Sequence, residues 1–143
     1  MKRSAMLTPL SRDHHHALRV CQVLRHCDAA DAGEVRQEFA RFWGPHRHHL
    51  HIEEEVLFLA FARHREGDDP MIGRALEDHA TLRRLAERVL AADTPPVESM
   101  HELAGRLNDH VRFEERSLFP AIEAAIPAPE QAALSIALEH CRT

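Results

Sequence analysis

The sequence contains one ten-residue segment twice, at residues 49–58 and 110–119. Both copies follow the pattern His-(Leu or Val)-x-(Ile or Phe)-Glu-Glu-x-x-Leu-Phe. In an α-helix, residues four apart lie side by side on one face. Each copy therefore places one imidazole and one carboxylate next to a strip of Leu and Phe. Packing alone does not explain a polar pair repeated on two apolar helix faces, so the repeat predicts two halves of a metal site.

The composition favours a globular chain made of helices. The 143 residues are 44% hydrophobic and 29% charged, with only 5 Gly, 5% aromatic residues and no Tyr. A chain of this length fits one domain with a real core, and the scarcity of aromatic residues argues against a β-rich fold. The net charge of -5 gives no reason to expect nucleic acid as a partner. We therefore expect a single all-α domain.

Helix-breaking residues divide the chain into four long helices and a short fifth one. The first helix opens between Pro9 and Asp13 and fades over residues 28–33, and the second runs from about Gly33 to His64, with a kink at Gly44-Pro45. The third spans about Asp69–Ala92, the fourth about Pro95–Ala125 with its last turns bent at Pro120, and the fifth about Pro129–Cys141. Long helices with short loops predict an up-down-up-down four-helix bundle over residues 10–125, followed by a C-terminal tail over 126–143.

Each half of the chain also supplies one lone histidine. His79 falls at the centre of the apolar stripe of the third helix, which comprises Ile72, Ala75, Leu76, Leu82, Ala86, Val89 and Leu90. On the first helix, His14 lies on the apolar face, whereas His15 points roughly to the opposite side. The match between Arg12-Asp13-His14 and Glu77-Asp78-His79 also favours His14, and His15 remains the alternate.

The predicted site contains four imidazoles and two carboxylates: His14 (alternate His15), His49, Glu53, His79, His110 and Glu114. A pseudo-twofold arrangement favours two metal ions, each bound by two His, with Glu53 and Glu114 bridging. Nitrogen and oxygen ligands without thiolate suit iron or manganese, and zinc is an alternative. Such a set leaves each ion short of six ligands, so we expect open positions for a small ligand or a bridging oxygen.

The remaining polar residues of the motifs are expected outside the ligand set. Glu54, Glu55 and Glu115 lie off the inward face, where solvation or a salt bridge is the expected role. His46, one turn before His49, is interpreted either as a neighbour of the ligands that lines a channel or as a partly exposed residue near the kink. We expect four further histidines on the surface: His16, His26, His48 and His51.

The order of these motifs resembles the hemerythrin-like (HHE cation-binding) family. The likeness covers about residues 10–125, and it implies a four-helix bundle around a non-haem di-iron centre with an oxo or hydroxo bridge. Oxygen-carrying hemerythrins have a further His on the third helix and an Asp on the fourth. This chain has Ala75 and Arg83 at the corresponding third-helix neighbours, and Glu114 in place of the Asp. The ligand set is thus closer to proteins for repair of iron centres, although their N-terminal Cys-bearing segment does not occur in this sequence.

Three functions are compatible with this reading. The first is a protein that binds or senses oxygen, nitric oxide or peroxide at the di-iron centre. The second is an iron donor or store for iron-sulfur centre repair, and the third is a structural metal-binding module. Turnover of an organic substrate is the least supported, because nothing in the sequence marks a substrate pocket. The sequence does not indicate which protein partner, if any, this chain binds.

The cysteines and the N-terminus favour a cytoplasmic location. Cys21, Cys27 and Cys141 form no Cys-x-x-Cys pair, and an odd count without framework spacing suggests a reducing compartment. Residues 1–11 lack the apolar stretch of a signal peptide. No run approaches the ~18 apolar residues of a membrane span.

Overall fold

A computed structural model describes residues 2–142 as helices joined by short loops, with no strand in that range. The helices are α1 (Thr8–His26), α2 (Ala32–Ile52), α3 (Phe58–Ala62), α4 (Pro70–Ala91), α5 (Val97–Phe113), α6 (Phe119–Ala125) and α7 (Ala128–Arg142). Two π-helical turns, π1 (Glu53–Leu57) and π2 (Glu114–Leu118), join α2 to α3 and α5 to α6. The chain therefore forms four long helical rods, which in chain order are α1, α2-π1-α3, α4 and α5-π2-α6. The C-terminal helix α7 is shorter than these rods.

The four rods pack as a closed ring. Helix α1 contacts both α2 and α5, and α4 contacts the same two helices from the other side. The C-terminal helix α7 lies against α2 and π1. This arrangement confirms the predicted all-α bundle with a fifth helix. None of the helices within residues 2–142 combines the length and apolarity needed to cross a membrane.

Most helix boundaries follow local signals in the sequence. Before α4, the side chain of Asp69 accepts a hydrogen bond from the Met71 backbone N–H at 2.8 Å, and Pro70 occupies the first helical position. The prediction for this helix was therefore correct to within a residue at each end. Helix α2 continues through Gly44 and Pro45, and its hydrogen-bonding pattern changes further on, at π1.

The core consists of two apolar clusters, one toward each end of the bundle. One cluster includes Leu24, Phe39 and Leu103, and the other includes Leu57 and Phe119. Between the clusters lies a layer of buried His and Glu residues. A polar layer that interrupts an otherwise apolar core needs its own source of stabilisation.

Two positions of the predicted third-helix stripe are wrong. Leu76 and Leu90 are 44% and 37% exposed, whereas Leu85 is buried and belongs to the core. The buried stripe is therefore rotated toward Leu85, because the positions of the neighbouring rods decide which edge of the apolar face is covered.

Candidate metal centre

The buried polar layer contains the six predicted ligands, contributed by all four rods. Their exposed fractions run from 0 to 3%, and they are His14, His49, Glu53, His79, His110 and Glu114. His15, the alternate to His14, is exposed. The structure therefore brings together the inward set that includes His14 and leaves His15 outside it.

The six side chains form two overlapping groups. One group contains His14 and His49, the other contains His79 and His110, and both include Glu53 and Glu114. Within each group, one ligand atom from every residue lies within 4.8 Å of the others. Each group is therefore compact enough to surround one metal ion, and the two groups share their carboxylates.

Glu53 faces both groups with different oxygens. Its Oε2 lies 3.3 Å from Nε2 of His49, and its Oε1 lies 3.2 Å from Nε2 of His79. The two oxygens of this carboxylate thus point to opposite halves of the centre, as a bridging ligand requires.

Glu114 has the same orientation in the second copy of the repeat. Its Oε1 lies 3.0 Å from Nε2 of His14, and its Oε2 lies 3.3 Å from Nε2 of His110. The centre therefore has an approximate twofold symmetry that follows the duplication in the sequence.

Six of the eight candidate ligand atoms have no hydrogen-bond partner, whereas Nε2 of His79 lies 3.2 Å from Nε2 of His110. All four oxygens of Glu53 and Glu114 are buried without a hydrogen bond, and so are the Nε2 atoms of His14 and His49. Short N···O separations without hydrogen-bond geometry are expected when donor atoms point to a common ion. Because unpaired buried carboxylates cost several kcal/mol, a cation at this position would remove a large penalty. The residues present fit a metal centre.

Each of the four imidazoles is held from behind by a carboxylate at its Nδ1 atom. The pairs are His14 with Glu115 at 2.6 Å, His79 with Glu54 at 2.6 Å, His49 with Asp13 at 2.8 Å, and His110 with Asp78 at 3.0 Å. A carboxylate at Nδ1 selects the tautomer that donates from Nδ1, which leaves the Nε2 lone pair for a metal. The contacts are also twofold related.

These four carboxylates were not assigned a function from the sequence. The signal was present, because an Asp precedes each lone His, and a second Glu follows Glu53 and Glu114 in each repeat. A salt bridge was one of the expected roles for Glu54 and Glu115, and both make one. Their partners, however, lie on another rod, which the spacing within a single helix does not reveal.

The π turns begin at Glu53 and Glu114, the two carboxylates that both groups share. The backbone N–H of Phe58 donates to the carbonyl of Glu53, five residues earlier, and Phe119 does the same with Glu114. In each π turn, the Glu at the first position faces the centre and the next Glu reaches a His on another rod. Such turns occur frequently at functional sites, and the sequence did not predict them.

Positively charged side chains fix three of the outer carboxylates. Arg83 binds Glu54 with two hydrogen bonds of 2.8 and 3.0 Å, and Arg142 binds Asp13 in the same way at 2.7 and 3.0 Å. Glu115 accepts hydrogen bonds from Ser11 and Arg3. Together with the hydrogen-bonded imidazoles of His49, His79 and His14, these contacts hold the pKa of Asp13, Glu54 and Glu115 below their usual values against the opposing effect of burial.

The centre is electrostatically coupled. Burial alone would lower the pKa of the four imidazoles, but the neighbouring carboxylates outweigh it. They raise the pKa of His14 to about 8, of His49 and His110 to about 9, and of His79 to about 10. Burial opposes ionisation of Glu114, yet His110, His14 and His79 hold its pKa well below the usual value. Metal binding would replace the protons on these imidazoles.

Among the histidines outside the predicted ligand set, four were expected on the surface and His46 had two alternative interpretations. His16, His26, His48 and His51 are exposed, as predicted. His46 is 4% exposed, and its ring stacks on His49 with centroids 4.8 Å apart. The partly exposed alternative for His46 is therefore wrong.

Comparison with known proteins agrees with this geometry. Residues 5–122 match the family model of the hemerythrin HHE cation binding domain. The match covers most of the chain, so the protein belongs to this family and is a metal-binding protein. No curated protein and no solved structure matches the chain.

Proposed function

We propose that this protein holds two iron ions at a His4Glu2 centre and uses it to bind or sense a small ligand such as oxygen, nitric oxide or peroxide. The observation that carries the proposal is the sharing of Glu53 and Glu114 by two buried groups of ligands. One His pair would hold each ion, and Glu53 and Glu114 would be shared between the two ions.

The donor set supports iron. Imidazole and carboxylate ligands without thiolate suit iron and manganese, while zinc also accepts them. Two nitrogens and two oxygens supply four protein ligands to each ion. Because iron usually takes more ligands than four, positions remain for a bridging oxygen and an external molecule.

The surroundings favour a small and weakly polar ligand. The ring of His14 stacks on Phe119 with centroids 5.2 Å apart, and the ring of His79 stacks on Phe58 at 5.8 Å. Both phenyl rings are buried in the apolar cluster next to the centre. Apolar walls limit water at the open positions, whereas a diatomic molecule enters such a space without losing strong hydration.

The decisive experiment combines a metal count with a ligand reaction. We expect about two iron atoms per chain in freshly purified protein, and a change in the near-UV and visible bands when the reduced protein meets oxygen or nitric oxide. Zero metal would refute the centre. Two iron atoms with no spectral response to either gas would refute the ligand-binding role and leave the metal as a structural element.

The structural alternative has support of its own. Ligands from all four rods meet in one layer between two apolar clusters, so bound metal would cross-link the bundle. In that case Glu53→Ala would lower the melting temperature, and the reaction with the gases would be absent in the unsubstituted protein as well.

A further inference from the structure

A cavity of about 430 Å³ lies beside the first half of the centre, between α1, α2 and the end of α7. Its lining residues include Asp13, Arg41, Phe42, His46, His49 and Arg142. Of these, His49 belongs to the metal centre and Arg41 is exposed, so the cavity extends from the protein surface to the side chain of His49. The volume is within the range of sites for organic ligands and far exceeds the size of a diatomic molecule.

The residues that line this cavity are not repeated at the corresponding positions of the second half. The spacing of the repeat aligns His46 with Leu107 and Phe42 with Leu103, which are buried at 1% and 0% exposure. On that side, the guanidinium of Arg74 also lies 4.1 Å from the ring centroid of Phe113, the counterpart of Ile52. Because Leu107 fills the corresponding position of the second half, a leucine could also pack at position 46. The presence of a histidine in the cavity wall therefore needs another explanation.

His46 has an unused hydrogen-bonding atom. Its ring is stacked between Phe42, at 4.7 Å, and His49, at 4.8 Å, and its Nε2 is buried without a partner. A buried polar atom without a partner costs about 1–3 kcal/mol. A ligand or water in the cavity next to this ring would lower that cost.

The charges around the cavity favour an anion. Within residues 2–142, Arg41 makes no hydrogen bond or ion pair, whereas Asp13 is already bound by Arg142 and His49. The lining thus presents one uncompensated guanidinium, although the whole chain carries a net charge of -5. The apolar part of the wall comes from Phe42, Pro45 and Ile52.

We propose that this cavity binds a small organic carboxylate, with its charge at Arg41 and its apolar part against Phe42 and Ile52. The site is separate from the positions that an external ligand would take on the metal ions. Its occupation does not require metal, so the inference stands apart from the proposed function.

Benzoate is a suitable probe, and benzamide is its neutral counterpart of the same shape. Both are titrated at constant ionic strength into the full chain, once as purified and once after removal of metal. Binding is followed by calorimetry, by the fluorescence of Trp43 (the only Trp, packed near His46 at 6.3 Å) and by amide chemical shifts. We expect benzoate to bind at least tenfold more tightly than benzamide in both preparations, with shifts concentrated around residues 41–52.

Two variants test the assignment. Arg41→Gln removes the charge from an exposed position without disturbing the core, and we expect it to weaken benzoate binding about tenfold. Arg106→Gln, an exposed position of α5 outside the cavity, is the matched control and should leave binding unchanged.

The proposal would be overturned by equal binding of benzamide, by no effect of Arg41→Gln, or by chemical-shift changes outside the cavity. Binding that occurs only with metal present and moves the visible bands would show that the carboxylate is a metal ligand. That result would also refute the cavity site while leaving the metal centre in place.

Discussion

Glu115 and His14 are 101 positions apart in the chain, yet Oε2 of Glu115 lies 2.6 Å from Nδ1 of His14. The contact connects the fourth rod to the first behind the ligand layer. Glu54 makes the same contact with His79, between the second and third rods. The duplicated hairpins are therefore interlocked, because each hairpin supplies the carboxylate that orients the lone His of the other.

Substitution of Glu115 by Gln should weaken metal binding without removing a ligand. The neutral amide holds the His14 ring less firmly and makes its Nε2 a poorer donor, so we expect a 10- to 100-fold loss of metal affinity. Glu54→Gln should have a similar effect through His79. Metal affinity is measured by competition with a chelator. Glu55→Gln, at an exposed position of the same motif, is the control, and an equal loss in that variant would contradict the orienting role.

Substitution of either shared carboxylate, Glu53 or Glu114, should reduce the metal content. Glu114→Gln replaces a buried charge by an isosteric neutral group, and we expect fewer than two metal ions per chain by elemental analysis. Near neutral pH the metal-stripped variant should be less stable than the stripped parent, because the protonated imidazoles around Glu114 lose the carboxylate that compensates their charge. Thermal melting of both proteins, with and without metal, gives the comparison. A variant that retains two ions per chain would show that Glu114 is not a ligand.

The two adjacent histidines of α1 should behave differently. His14→Ala is expected to lose metal from the first group, because His14 supplies one of its two imidazoles. His15→Ala changes an exposed side chain and should retain the full metal count and the spectrum of the parent. Metal analysis of both purified variants decides between the two positions, and loss of metal from His15→Ala alone would reverse the assignment.

The last turn of α7 should affect one half of the centre more than the other. Arg142 fixes Asp13, which in turn orients His49. For the counterpart carboxylate, Asp78, which contacts His110, the guanidinium of Arg74 lies at the longer distance of 3.9 Å. Arg142→Gln should therefore accelerate the release of one of the two ions to a chelator several-fold. Arg116→Gln, at an exposed position, serves as control, and unchanged release kinetics in Arg142→Gln would exclude this role of α7.

The three thiols should differ sharply in reactivity. Burial raises the pKa of Cys21 to about 12 and also raises that of Cys27, so the reactive thiolate is scarce at neutral pH. Cys141 is exposed. A disulfide reagent should therefore titrate one thiol in the folded protein and three after denaturation. Cys21 and Cys27 should still react slowly when the pH is raised from 7 to 9. Rapid reaction of two or three thiols in the folded protein would contradict the burial of these two residues.

Local patterns were sufficient to predict the helices and the His and Glu residues that face inward. The caps around Asp69-Pro70, the apolar periodicity and the His-x-x-x-Glu spacing all act within one or two turns, so they can be read directly from the chain. Errors occurred where a residue's environment depends on a neighbouring rod. Leu76 and Leu90 have the periodicity of core residues, but no rod covers them.

The sequence by itself determined that the chain is a helical bundle with a duplicated hairpin and three inward polar groups per half, because helical periodicity alone decides which side chains share a face. Only the tertiary structure decided how the halves meet. It showed that Glu53 and Glu114 each face both halves, that carboxylates from other rods hold the imidazoles, and that a cavity opens beside His46. These features depend on the distances between side chains of different rods, which are set when the rods pack around a common core.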